Sequence, residues 1–307
     1  MLNFVEGRKI ARIKGGSRDG NFIYLKNEFN DNPNKNKGKL DKLDKSFFKK
    51  YNNLSKDQII DLKKAVEKEI KPTNKKIIPA YNEALILIKK KKFPEFKDIY
   101  IPDGILQPVP NKDIVEKLYV SAPSGAGKST YVGNWLAEAR KRFRNDDIYV
   151  FSSIPEDKAL DRNDPIRITL DQELINDPIH PMEIRNSIVV FDDVDTIRDD
   201  RIRLSLEAFK DFLLEQGRHY NVRVIMTSHL LTNYKSTRRS LNEATSICLF
   251  PRSGAPNQIR KFLNDNIGIE KKKTERILKL KSRWVCLYKT SPMYIIYQKG
   301  VFMLYDD

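Results

Sequence analysis

The sequence predicts an α/β protein whose mostly parallel sheet lies between layers of helix, and three observations predict it. An apolar run, Leu118-Tyr-Val, opens into the small-residue stretch Ala122-Pro-Ser-Gly-Ala-Gly-Lys128-Ser129-Thr130, and an amphipathic segment follows. A second apolar run, Ile188-Val-Val-Phe191, ends in Asp192-Asp193, as a strand buried on both faces does at the ligand edge of a parallel sheet. Around these two runs, short apolar segments alternate with helical periodicity, the pattern of successive βα units.

The N-terminal third reads differently. Residues 8–26 alternate around Gly15-Gly-Ser-Arg-Asp-Gly20 and predict a small hairpin. Residues 27–53, rich in Asn, Lys and Asp, read as a flexible connector. Ser55 opens a helix with Gln58 as capping-box partner, and Ile59, Ile60, Leu62, Ala65, Val66 and Ile70 share its broad apolar face until Pro72 closes it. A second helix is expected over Tyr81–Lys92, its Lys89–Lys92 run matching the negative end of the helix dipole. Phe93–Pro110, holding Pro94, Pro102, Pro108 and Pro110, reads as a linker. The expected division is a basic N-terminal region, 1–110, and a main domain, 111–307.

In the main domain the expected order is strand 118–121, helix 128–143, strand 148–152, a connector, strand 187–191, helix 203–216, strand 222–228 and strand 245–250. Two helix-like stretches follow, 256–264 and 271–281, and then strands around 284–288 and 293–297. Residues 122–130 have the form of a phosphate-binding loop. Small residues at Ala122, Gly125 and Gly127 let backbone N–H groups converge on a triphosphate, with Pro123, Ser124 and Ala126 completing the loop and Thr130 following it into the helix. Lys128 is placed to reach the β- and γ-phosphates of ATP and Ser129 to hold Mg²⁺. Asp192 is a second Mg²⁺ ligand, and Asp193 is placed to orient and deprotonate an attacking water. Asp195 reads as a cap or loop residue. With a strand and helix between the two motifs and another strand after the second, the fold class is a three-layer P-loop NTPase of the additional-strand kind, with a small basic N-terminal appendage.

Two further constellations bear on turnover. Gly217-Arg218-His219-Tyr220-Asn221 precedes the strand 222–228, and Arg218 is placed where a cation could reach a neighbouring subunit's γ-phosphate. Arg238 and Arg239 are equal alternatives for that trans cation. At the end of the same strand, Thr227-Ser228-His229 faces the nucleotide crevice, with Ser228 and His229 as candidates to hold water or sense the γ-phosphate.

The net charge of +16 is unevenly spread: +11 over residues 1–115, −2 over 116–251 and +8 over 252–289. Clustered cations gain from counterion release on a polyanion, so nucleic acid is the expected partner. The Lys-rich N-terminal charge also has the plainer reading of a solvated face. Cys248 and Cys286, each in an apolar run, read as buried strand residues in a reducing compartment, and His180, His219 and His229 do not suggest a zinc site. Without a signal-peptide layout or an 18-residue apolar stretch, the expectation is a soluble intracellular protein with no membrane insertion.

Ala122–Thr130, Ile188–Asp193, Gly217-Arg-His-Tyr-Asn-Val222 and Thr227-Ser-His-Leu230 together resemble the genome-packaging ATPases of poxviruses, giant DNA viruses and virophages, of the FtsK/HerA superfamily. The resemblance covers residues 115–300 and implies a homo-oligomeric ring that hydrolyses ATP to move double-stranded DNA, without sequence specificity, into a capsid, with a capsid or portal component as partner. It implies Lys128 and Ser129 on phosphate and Mg²⁺, Asp192 on Mg²⁺, Asp193 as base and Ser228 or His229 as sensor. This sequence departs from the pattern with Asp193 where many members carry Glu, and with Ser228-His229 where many carry Gln. The alternatives are a chromosome-segregating or conjugative DNA pump of the same superfamily and, from another class, a nucleotide kinase or a DNA-binding scaffold with a degenerate ATP site. A kinase gives the Asp192-Asp193 pair no purpose, and intact Lys128, Ser129, Asp192 and Asp193 count against the scaffold.

Overall fold

The computed structural model describes residues 1–26, 45–68, 70–90, 95–232 and 237–305. It divides into two compact units, Asn27–Glu95 and the combination of Met1–Lys26 with Phe96–Asp307. The boundary therefore differs from the one expected at residue 110. The first strands belong to the larger unit because their apolar faces are completed by its helix and strands, and the smaller unit is an insertion between them and the rest.

The smaller unit contains α1 (Lys45–Lys50), α2 (Lys56–Lys68) and α3 (Ile78–Lys90). The capping box forms: the Ser55 amide donates to Gln58 Oε1 at 3.0 Å, and the Gln58 amide donates to Ser55 Oγ at 3.2 Å. Leu62, Ala65 and Val66 pack with Phe47, Ile77 and Tyr81. Ile60 and Ile70, expected on that face, are exposed, since Ile60 lies about 200° round the helix from Leu62 and Ile70 lies past its end. Of the connector expected over 27–53, residues 27–44 lie outside the described residues, while Lys45–Lys50 are helical because Phe47 finds a core. The last expected residues of the second helix, Lys91 and Lys92, also lie outside them.

The larger unit runs β1 (Leu2–Asn3), β2 (Arg8–Lys14), β3 (Phe22–Leu25), β4 (Asp98–Tyr100), β5 (Ile105–Pro108), β6 (Lys117–Ser121), α4 (Lys128–Arg142), β7 (Asp147–Ser152), α5 (Lys158–Asp161), β8 (Ile166–Ile168), α6 (Gln172–Asn176), β9 (Ser187–Asp192), α7 (Asp200–Gln216), β10 (Val222–Ser228), α8 (Arg238–Glu243), β11 (Ser246–Leu249), α9 (Pro256–Lys261), α10 (Lys271–Lys279), β12 (Val285–Tyr288), β13 (Tyr294–Tyr297) and β14 (Gly300–Met303). Ten strands form the main sheet in the order β4-β14-β13-β12-β11-β6-β10-β9-β7-β8. From β11 to β8 neighbours are parallel, and from β11 to β4 they are antiparallel. The segment expected to be a linker, 93–110, supplies β4 and β5. Pro102 sits between these strands and Pro108 ends β5, places where a missing N–H is tolerated.

Alternation along the strands builds the layers. Leu118, Val120, Val150, Ile188, Val190 and Ile225 join one apolar cluster with α4 and α5, whereas Tyr119, Phe151, Val189, Phe191, Val224 and Met226 join another with α6–α10. On the first face α4 is covered twice. A small antiparallel sheet, β1-β3-β2-β5, contributes Ile10, Ile13, Ile23 and Leu25 to the cluster that holds Trp135 and Leu136. Glu138, in the middle of α4, is buried beneath that sheet and pairs with Arg12 at 3.0 Å, Lys141 at 2.8 Å and Lys14 at 3.7 Å. On the α5 side, a Cβ on Gly133 would lie 2.0 Å from the Ala159 carbonyl oxygen, so only glycine allows the two helices to approach this closely.

Glu116 enters β6 buried, its Oε2 accepting the Asn111 amide at 2.7 Å. Burial pushes its carboxyl up to about 7, against the hydrogen bond and the nearby Arg8, Arg223 and Arg142. Unfolded, the group loses its proton near pH 4.5, so stability associated with it is full below that pH and declines by about 3 kcal/mol as pH rises through 7. Glu116→Gln, which keeps the acceptor, should abolish this decline. Melting curves of wild type and variant should diverge between pH 5 and 7.5, and parallel pH profiles would show that the carboxyl stays ionised.

Candidate active site

Because β6, β10, β9 and β7 are parallel, their C-terminal ends meet at one edge. Ser228 pairs with Ser121, Met226 with Phe191 and Ser152 with Asp192, so the phosphate-loop candidate and both acidic residues emerge side by side. The loop begins where the Ala122 amide donates to the Ser228 carbonyl at 3.2 Å. Gly125 and Gly127 have φ of 74° and 109°, conformations that turn consecutive N–H groups toward a common centre. Gly127 starts α4 with no side-chain cap, and the first turn carries no acidic residue. Its amides and dipole are thus available to an anion.

Lys128, buried at the head of α4, turns into this centre. Its Nζ donates to the Ala122 carbonyl at 3.0 Å, lies 3.1 Å from His229 Nδ1 and is 3.4 Å from Asp193 Oδ2. His229 Nε2 is 2.9 Å from the same Asp193 oxygen. An ammonium group has no lone pair to offer, so Nδ1 is the acceptor and the Nε2 proton donates to Asp193. Lysine, histidine and aspartate form a closed triangle over the loop.

Asp193 itself is held in the left-handed region, φ 47° and ψ 43°, at a cost of about 1–2 kcal/mol for a residue with a Cβ. Two threonines fix it. The Asp193 amide donates to Thr227 Oγ1 at 2.9 Å, and Thr196 Oγ1 donates to the Asp193 carbonyl at 2.8 Å. Thr227 Oγ1 also lies 2.8 Å from Asp192 Oδ1 and 3.0 Å from Asp193 Oδ1. One hydroxyl proton serves two carboxylates, so the pair is only partly satisfied on that side. Asp192, deeply buried, takes a second donor from Ser152 Oγ at 3.0 Å. Burial and the neighbouring Asp193 charge push its carboxyl upward, opposed by the Thr227 and Ser152 hydrogen bonds. A cation at Asp192 would relieve that burden.

Ser129, half-buried in the first turn of α4, and Asp192 supply hard oxygen donors. Among the described residues no group of three or more His, Cys, Asp or Glu is placed to hold a metal ion. Oxygen donors of this kind are those Mg²⁺ takes, one or two from protein beside phosphate and water.

His229 is brought to the centre and Ser228 is not. Ser228 points to the other face of β10, where Oγ lies 3.1 Å from Asp195 Oδ2 and accepts the Leu230 amide at 3.1 Å, as strand alternation requires once Thr227 faces the acids. Arg218 lies exposed in the 3-10 turn Gly217–Tyr220 before β10, hence at the opposite edge of the sheet from loop 122–127. Arg239 is paired with Asp211 at 2.7 Å and Glu215 at 3.3 Å, and Arg238 is exposed beside it on α8. Pro123, Ser124 and Thr130 are exposed along the loop and its exit. Three residues that local sequence does not single out also belong here: Thr227, Ser152 and Arg283, whose Nε donates to the Ala126 carbonyl at 2.9 Å. Thr227 stood within a recognised motif; the other two are legible only through strand register and tertiary contact.

No family model matches the chain. Uncharacterized protein V3 of Sputnik virophage is 36% identical over 205 residues, 66% of this chain and 83% of that protein. Among solved structures, the DNA-packaging ATPase B204 from Sulfolobus turreted icosahedral virus is similar with a TM-score of 0.43 and 15% identity, covering 61% of this chain and 98% of B204. The pCW3 conjugation coupling protein TcpA is similar with a TM-score of 0.38 and 12% identity, covering 71% of this chain and 68% of that structure.

Thr227→Val removes the shared hydroxyl while keeping the shape. It should lower stability at pH 7 by about 1–3 kcal/mol, the cost of leaving buried partners unsatisfied, whereas Thr227→Ser should stay near wild type. Denaturant midpoints test this, and an unchanged Val midpoint would mean the hydroxyl does not hold the acids.

Proposed function

The chain belongs to the family of Sputnik virophage protein V3, and we propose that it is the ATPase of a viral genome-packaging motor, coupling ATP hydrolysis to movement of double-stranded DNA into a capsid. The observation that carries this reading is the convergence of Lys128, His229, Asp193 and Asp192 on an uncapped loop-and-helix terminus. No helix among the described residues is long and apolar enough to cross a membrane.

Backbone amides of Gly125, Gly127 and Lys128 bind the ATP phosphates. Lys128 exchanges Asp193 and His229 for the β- and γ-phosphate oxygens, a stronger charge-assisted set. Ser129 and Asp192 would hold Mg²⁺, which would supply positive charge to offset that of the phosphates. Asp193, released from Lys128, orients the attacking water and accepts its proton. His229, already donating to Asp193, links that carboxylate to the γ-phosphate position and thereby reports whether ATP is intact. Thr227 keeps both carboxylates in register.

Completion of the site falls to a neighbouring subunit in a ring. Arg218 is the favoured trans cation: among the described residues it has no ion-pair partner, and its place at the far sheet edge lets it serve only another copy. Arg239 is already committed to two carboxylates. DNA contact is assigned to the basic C-terminal segment, where Lys271, Lys272, Lys279 and Lys281 are exposed on and after α10. They read phosphates rather than bases, as movement of any sequence requires. A capsid or portal component is the docking partner.

Steady-state ATP hydrolysis, measured across protein concentration with and without double-stranded DNA, tests the reading. Turnover should rise with both and vanish in Asp193→Asn. Arg218→Ala should retain ATP binding and lose turnover ~100-fold or more, below the full range seen for arginine fingers. Hydrolysis independent of DNA and of protein concentration would overturn the motor assignment and favour a self-contained phosphotransferase.

A further inference from the structure

Arg283 stands in the loop between α10 and β12, 157 residues from the phosphate loop it touches. Its Nε donates to the Ala126 carbonyl, and its guanidinium fills the space that a side chain on Gly127 would need: a Cβ there would lie 3.0 Å from Nη2 and 3.1 Å from Cζ. The placement is built from both sides. The Arg283 amide donates to Gln298 Oε1 at 2.6 Å, and the Gln298 amide donates to Ser282 Oγ at 3.0 Å. Trp284 packs edge-on against Tyr131 of α4, ring centroids 5.0 Å apart.

Holding the loop open requires only one donor, which a neutral side chain could supply. Arg283 brings a full positive charge instead, to a place already made positive by converging amides, a helix N-terminus and Lys128. Among the described residues no carboxylate pairs with it, and one of its five N–H donors is engaged by Ala126. Asp193 answers the charge of Lys128, whereas the charge of Arg283 gains a partner when an anion joins the loop.

We propose that Arg283 is a phosphate ligand in cis, closing the back of the loop around a nucleoside polyphosphate with its free guanidinium edge. This rests on the ATP-site reading and adds to it a cation that acts within one subunit. Nucleotide affinity is thus set in the monomer by Arg283, while turnover waits on the neighbour.

Equilibrium binding of ADP and of inorganic triphosphate to wild type, Arg283→Gln and Arg283→Lys, with the melting temperature of each ligand-free protein, tests the inference. Arg283→Gln should weaken both ligands tenfold or more while its ligand-free melting temperature stays equal or rises. Arg283→Lys, which keeps the charge, should recover part of the affinity. Unchanged affinity in Arg283→Gln beside a wild type that binds would overturn the inference alone. Loss of affinity accompanied by a lower ligand-free melting temperature in both variants would also overturn it, making the residue a loop clamp. A wild type that binds neither probe would overturn the ATP-site reading together with the inference.

Discussion

The arrangement of the site depends on one buried carboxylate. Asp192 ends the buried strand β9, where water cannot solvate it, and its two oxygens are met by hydroxyls from the adjoining strands, Ser152 on β7 and Thr227 on β10. That requirement fixes three parallel strands relative to one another at their functional ends. A slip of one residue in either neighbour would turn its hydroxyl to the opposite face and leave a charge unpaired. The same Thr227 oxygen receives the Asp193 amide, so the constraint that aligns the sheet also bends the chain out of it and presents Asp193 to Lys128 and His229.

Around this edge the chain provides a rigid support for α4. Most soluble helices show one face to water, but α4 lies between the main sheet and the small N-terminal sheet. Its one deeply buried acid, Glu138, is met by cations from β2 and from its own next turn. Helix and the loop before it are therefore held by apolar contact on both sides and by Arg283 from a third direction. Motion needed for binding has to come from side chains such as Lys128 rather than from the helix that carries it.

Much of this was legible from the residues. The apolar runs before Ala122 and Asp192 have the length and composition of strands buried on both faces, and they predicted β6, β9 and the parallel core. The capping box at Ser55 and the hairpin around Gly15–Gly20 formed where local chemistry required them. What failed was non-local. β4 has three residues and β5 four, ending in Pro108, too short for a period-2 signal, so only pairing with β14 and β2 makes them strands. The three strands β12–β14 extend the sheet with a change from parallel to antiparallel that no single segment encodes. In the site, Ser228 and His229 could not be ranked until the register of β10 showed which of them turns to the centre, and Arg283 has no nearby motif at all.

The insertion of residues 27–95 leaves and returns at a narrow neck. Lys26 pairs with Met1 and Phe96 with Leu2, on opposite sides of the same short strand, which sets the two exit points about 10 Å apart, two strand spacings. A segment tethered in this way is topologically a cassette. A bridge of three or four residues would span the gap, so the chain could close across it without threading the sheet anew.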